Sequence, residues 1–170
     1  MFDIGDTIVH SRYGAGTVVG HKTVTLSGQE RNYICITLSG ERGTLMVQPD
    51  EVNPEEVRMT MDDMNLIRDV FETAPQEMSD QHRSRQSTVR AKLRSNDPHQ
   101  VAQALRDLIW RDRTASLTNT DRRLMDDARK KLLQELRTSS AIQLAAKKLD
   151  KIIDAAMAKH LENAPKPAEV

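Results

Sequence analysis

The sequence predicts a multidomain α+β chain: a small β-barrel domain followed by a larger all-α domain of about five helices. Three observations predict it. All seven glycines lie between residues 5 and 43, and none follows. Glycine serves tight turns in β structure and weakens helix interiors, so its confinement divides the chain. Apolar residues alternate before about residue 48 and recur every three or four residues after 60, the two periods of strand and helix. Charge is divided as well: 25 basic and 25 acidic groups cancel, yet residues 1–81 hold 6 basic and 14 acidic groups, and 82–170 hold 19 and 11. Neutrality on average therefore does not exclude a nucleic-acid partner.

Within the β part, Thr7-Ile8-Val9 is a short strand, and Ser11 to Gly16 reads as a turn. Thr17-Val18-Val19 resumes the strand, and Gly20 within the pattern predicts a bulge or bend. Thr23 to Leu26 continues it, and Ser27-Gly28-Gln29 signals a hairpin turn. Asn32 to Leu38 alternates, with Tyr33, Cys35 and Thr37 on one face and Ile34, Ile36 and Leu38 on the other. Ser39 to Gly43 is a further turn. Thr44 to Val47 is the last clear strand, closed by Pro49, which cannot donate to a ladder. Four or five short strands in about 50 residues indicate a barrel of SH3 or Tudor type. Residues 1–55 hold 4 basic and 7 acidic groups, which favours a protein partner there over phosphate.

The helical part begins at Thr60, where Thr60 and Asp63 resemble a capping box and Met64, Ile67, Val70 and Phe71 form an apolar face. Pro75 ends that segment. Ser79 or Asp80 caps a second helix reaching Arg94, whose only sizeable apolar residues are Val89 and Leu93. Asp97-Pro98 starts a third, with Val101, Leu105, Leu108 and Ile109 on one face and Trp110 opposite, beside Arg106 and Arg113. Thr118 and Asp121 cap a fourth, with Leu124, Met125, Ala128, Leu132, Leu133 and Leu136 inward. Ser139 or Ser140 opens a fifth, with Ile142, Ala145, Leu149, Ile152, Ile153, Ala156 and Met157 inward. The expected division is 1–55, 56–162 and a disordered tail over 163–170.

Several chemistries lack a signature. No glycine loop precedes a helix, and no His/Cys cluster has metal-ligand spacing, so neither a cofactor nor a metal is expected. Asp62-Asp63 and Asp126-Asp127 are adjacent pairs that do not face each other on a helix. His10, His21 and Tyr33 are the best available catalytic set and lack a constellation, so an enzyme is not expected. A lone Cys35 fits a reducing compartment, no apolar run reaches the ~20 residues of a membrane span, and the N-terminus has no signal-peptide pattern. A cytoplasmic, nucleoid-associated monomer without a small-molecule substrate is the expectation.

The strongest local signal is basic. Residues 82–113 hold 8 basic and 3 acidic groups, directly after a stretch, 56–81, with 2 and 7. Arg and Lys on a sparsely apolar helix can neutralise phosphates with little sequence choice. The alternative is a solvated face balanced by the acidic stretch. Trp110, the only tryptophan, either packs on a neighbour or offers an exposed wedge near DNA.

The order of elements resembles the CarD/CdnL family of bacterial RNA polymerase-binding transcription regulators. The N-terminal part also resembles the polymerase-interacting domain of the transcription-repair coupling factor. The residues that carry this are Phe2 to Val9, Tyr13 to Val18, Tyr33 with its strand, Leu45 to Pro49, Asp97 to Asp112, Leu117, and Asp121 to Leu136. The resemblance implies a Tudor-like domain that docks on the polymerase β subunit by strand pairing, here through Thr23, Val24, Thr25 and Leu26 and through Leu45, Met46 and Val47. It implies a helical domain on promoter DNA at the upstream edge of the bubble, stabilising the open complex, with His82, Arg83, Arg85, Arg90, Lys92 and Trp110 as the DNA set. Two departures stand out. His82 occupies the position where many relatives carry a wedge tryptophan, and Val24 and Val47 fall where relatives use basic residues against the polymerase. A protein-interaction adaptor with weakened DNA contact is the second reading.

Overall fold

A computed structural model describes residues 2–40 and 43–164 and, of Glu51, the backbone alone. The β module is a five-stranded antiparallel sheet in the order β4-β3-β2-β1-β5. Its strands are β1 (Thr7–His10), β2 (Gly14–Leu26), β3 (Gln29–Leu38), β4 (Thr44–Val47) and β5 (Val57–Met59). The sheet is open, with β4 and β5 as edges, where the sequence predicts a barrel. Ile8, Val18, Ile34, Ile36, Leu38 and Val57 form its core.

Local sequence accounts for most of the strands. Ser27 and Gly28 both take positive φ, 52° and 81°, between the paired Leu26 and Gln29. That is the two-residue turn that matches the twist of a hairpin. The β2–β3 register shifts between Val18 and Gly20, the bulge that Gly20 predicts. Gly16 has a different reason: a Cβ there would meet the Thr37 carbonyl oxygen at 2.7 Å. Strand β1 pairs with β2 only through Thr17. Strand β4 pairs with β3 only from Ile34 onward. The distal hairpin, residues 22–26 with residues 29–33, therefore stands alone as a two-stranded arm.

The helical module comprises α1 (Asn65–Glu72), α2 (His82–Arg94), α3 (Pro98–Thr114), α4 (Asn119–Thr138) and α5 (Ala146–Asn163). Asp97 caps α3, accepting from the His99 amide at 2.9 Å, with Pro98 in the first turn. Thr118 and Asp121 form the expected reciprocal capping box on α4. Helix α3 is the hub. It packs on α1, α2 and α4 and buries Val101, Ala102, Ala104, Leu105 and Leu108.

Four boundaries differ from the sequence expectation. Helix α2 starts at His82 after Gln81, which makes no side-chain cap, rather than from a Ser79 or Asp80 cap; Ser79 Oγ accepts from the Gln81 amide at 3.2 Å, ahead of the helix. The helix expected at Thr60 starts at Asn65, because Val57–Met59 pairs with β1 and extends the chain. Thr60 bonds Thr7 through their hydroxyls at 2.7 Å, and Asp63 accepts from the Asn65 amide at 2.8 Å. The fifth helix starts at Ala146 rather than at Ser139 or Ser140. Ser139 is instead buried and donates to the Met61 carbonyl at 2.7 Å, and Gln143 at positive φ interrupts the backbone. Helix α5 runs through Asn163, and residues 165–170 of the expected tail lie outside the described residues.

The two modules are joined by a polar seam. Glu135 on α4 accepts both Arg58 terminal nitrogens, at 2.6 and 2.8 Å, and the Met61 amide at 2.8 Å. Arg58 Nε donates to the Asn96 carbonyl, and the Asn96 amide side chain donates to Val9 O and Glu56 O at 3.4 and 3.3 Å. Ser39 and Thr138 share a hydroxyl bond of 2.6 Å. A buried carboxylate that accepts three donors is strongly held, so the seam fixes the modules against each other.

Candidate functional site

The strands expected to contact a partner divide by face. In β4, Leu45 and Val47 are opposite Ile36 and Ile34 and pack on the sheet core, while Met46 is opposite Cys35 and is 40 % exposed. In the arm, Lys22, Val24 and Leu26 alternate with Thr23 and Thr25. Val24 and Leu26 share the outer face with Tyr33, Cys35 and Met46. That face mixes these apolar side chains with Lys22, Gln29 and Arg31, beside three unpaired backbone edges: β2 beyond Val19, β3 over residues 29–33 and the free side of β4. Leu45 and Val47 can offer backbone there but not side chains.

The expected DNA set also divides. His82, Arg83 and Arg90 are exposed on α2. Arg85 is not: its side chain is 3 % exposed, and Nη2 meets Asp121 Oδ2 at 2.6 Å. Its other terminal nitrogen donates to the Ser79 and Asp80 carbonyls at 2.6 and 3.2 Å. Burial by itself would raise the Asp121 carboxyl. The Arg85 bond, with those from Thr118 and Gln86, outweighs it and holds the acid well below the usual carboxylate range. Arg85 is thus a core residue, corrected from the phosphate set.

Lys92 is half-buried, donates to Gln103 Oε1 at 3.2 Å and lies 4.0 Å from Asp107. Its charge is directed toward α3. Trp110 packs partly buried against the helical core, edge-on to His160 with centroids 6.3 Å apart, the packing alternative of the two the sequence offers. Arg106, expected beside an exposed Trp110, is 2 % exposed and donates to Asp107 at 2.8 Å and to Val70 O at 3.1 Å.

Arg85 and Asp121 join the first turns of α2 and α4, and Gln86 bonds Thr118 at 3.1 Å. Near their C-terminal halves, Leu93 and Lys131 line one cleft. The helices therefore run parallel, with their positive ends together. Exposed Arg83 on α2 and Arg122 and Arg123 on α4 add formal charge at that end. Arg122 pairs with Asp112 at 3.2 Å but remains 52 % exposed. Sequence reasoning missed Arg122 and Arg123 because they sit in a fourth helix with mixed charge. The Arg85–Asp121 and Gln86–Thr118 bonds bring them beside α2.

The set His10, His21 and Tyr33 does not converge. His10 is opposite Gly14, seven residues along β2 from His21, or roughly 23 Å at strand rise. His10 stacks edge-on with Tyr13 at 4.8 Å, and burial, aided by Arg12 and opposed by Glu56, pushes its imidazole below the usual value. Among the described residues no group of three His, Cys, Asp or Glu is placed to hold a metal ion, and no helix is long and apolar enough to cross a membrane.

Two family models match the chain: the CarD-like/TRCF RID domain over residues 2–60, and the CarD C-terminal domain over residues 66–154. The chain belongs to the CarD family. It is 23% identical over 144 residues to YdeB of Bacillus subtilis (strain 168), which is named as a transcription factor; the match covers 84% of this chain and 94% of that protein. CarD-family membership makes transcription regulation its field of action. The two matched segments correspond to the sheet module with the arm and to the helical module with the parallel α2/α4 pair.

Proposed function

We propose that this CarD-family protein is a non-enzymatic transcription regulator that bridges RNA polymerase and promoter DNA. The β2–β3 arm and the β4 edge pair with the polymerase β subunit. The exposed α2/α4 end, with His82, Arg83, Arg90, Arg122 and Arg123, meets the DNA backbone at the upstream edge of the bubble and stabilises the open complex. The observation that carries this reading is the separation of two unlike surfaces on one fixed frame. Exposed Leu26 and Met46 beside open strand edges lie on the acidic module, and unburied cations lie at paired helix N-termini. Open edges favour β-augmentation, with side chains of one face supplying specificity. Cations at helix N-termini favour phosphate.

Two measurements test it. Leu26→Glu with Met46→Glu should weaken capture of the polymerase β-subunit lobe at least tenfold. Unchanged capture removes the proposed docking strip. Arg83→Glu with Arg122→Glu should lower promoter affinity and open-complex lifetime while leaving polymerase capture intact. If promoter binding and transcription do not change, the adaptor reading replaces the DNA reading. His82 favours that second reading, since an imidazole buries less apolar surface in a minor groove than an indole.

A further inference from the structure

A cleft of about 370 Å³ lies between the modules, next to the seam and about one to two turns earlier along α4. The β1–β2 turn supplies Ser11, Arg12, Tyr13 and Gly14, α2 supplies Arg90, Leu93 and Arg94, and α4 supplies Asp127, Lys130, Lys131 and Gln134. Five cations thus face one another across a concave surface that holds one carboxylate, Asp127. Seven other arginines, Arg58, Arg85, Arg106, Arg111, Arg113, Arg122 and Arg129, each have an acid within 4.0 Å, whereas scattered surface cations such as Lys22, Arg31 and Arg137 have none among the described residues. Among the described residues, Arg12, Arg90, Arg94 and Lys130 have no such partner.

The turn is held close to α4. Gly14 takes φ +86°, and a Cβ there would come within 3.4 Å of Gln134 Oε1. Lys131 donates to Ser11 O at 3.3 Å. Burial pushes the Lys131 amine down, against the pull of Asp127. Tyr13 stands at the cleft, 42 % exposed as a residue, edge-on to His10, with the Arg12 guanidinium 5.8 Å from its ring centroid.

We infer that this cleft is a second phosphate site, taking a single nucleic-acid strand between the two modules. Its chemistry fits phosphate: guanidinium forks and ammonium groups with little competing carboxylate. The exposed Tyr13 ring offers a face for a base or sugar. A continuous strand, rather than a free nucleotide, is favoured by continuity of charge. Arg83 is seven residues before Arg90 and Arg123 seven before Lys130, about two helical turns in each case, so the same helix faces carry cations toward the α2/α4 end. The inference rests on the DNA reading above and adds the β module to the DNA interface.

The test uses the full chain and labelled single-stranded oligonucleotides, with anisotropy followed across a salt series. Arg12→Gln with Arg94→Gln and Lys130→Gln should weaken binding about tenfold and shrink the log–log salt slope by about 0.7 for each phosphate no longer neutralised. The single Arg94→Gln change gives a smaller loss in the same direction, should the triple variant fold poorly. Loss of affinity together with the shallower slope supports the site. Wild-type binding that the triple variant reproduces with an unchanged slope overturns the cleft and leaves the DNA reading standing. No oligonucleotide binding by the wild type at low salt overturns both. If the triple variant loses binding of a nucleoside triphosphate and keeps that of the oligonucleotide, the cleft is a small-anion site and the strand proposal fails.

Discussion

Glu135 and Lys130 are five residues apart on α4, and the regions they mark could hardly be more different. Around Glu135 every charge is matched: the carboxylate takes Arg58 and a backbone amide, and the side chain is 5 % exposed. Around Lys130 cations gather with one acid among them and stay open to solvent. Both regions lie between the same two modules. The contrast shows that charge density alone does not distinguish a structural interface from a binding one. Matched and buried charge fixes a geometry, whereas unmatched and exposed charge waits for a partner that brings the opposite sign.

The largest effect should come from the matched class. Asp121→Ala leaves the buried Arg85 without its acid and should cost about 3–5 kcal/mol in denaturant unfolding. The same pair sets a pH dependence. The Asp121 carboxyl sits below its unfolded value, so its contribution is full above about pH 4 and is lost as the pH falls further. The stability gap between wild type and Asp121→Ala should therefore narrow below about pH 4. A constant gap would mean that the ion pair is not what Asp121 contributes.

Glu135→Ala comes next. It should cost about 3 kcal/mol, less than the Asp121 change because Arg58 is 22 % exposed and can turn to water. It should also loosen the modules, seen as faster amide exchange at Met61. The arm variants Leu26→Glu and Met46→Glu should act on polymerase capture and little on folding. The smallest effect on stability belongs to the cleft: Arg12→Gln, Arg94→Gln and Lys130→Gln together should shift unfolding by no more than about 0.5 kcal/mol. A loss as large as that of Glu135→Ala would erase the distinction between the two regions.

Much of the fold was legible in the sequence because local chemistry decides it. Ser27-Gly28, Asp97-Pro98 and Thr118 with Asp121 each encode a turn or a cap in adjacent residues, and the structure places a turn or cap at each. Strand β5 was not legible, since three residues of Val-Arg-Met carry too little alternation to outweigh the helical pattern that follows. Arg85 was misread for a related reason. Periodicity counts apolar residues, and an arginine on the buried face of α2 registers as surface unless its partner, 36 positions away, is known. The cleft had no local signal, because its cations come from residue 12, the end of α2 and the middle of α4. Only the folded chain assembles them.

The arm has one more consequence. Because the seam holds the modules rigidly, whatever grips the hairpin tip and whatever grips the α2/α4 end are kept at a set spacing, with the protein acting as a ruler between them. Strand geometry graduates that ruler. Deleting Lys22 and Thr23 with their opposite numbers Asn32 and Tyr33 would shorten the arm by roughly 7 Å while returning every remaining side chain to its own face. Deleting a single cross-strand pair would shorten it by half as much and turn the tip over.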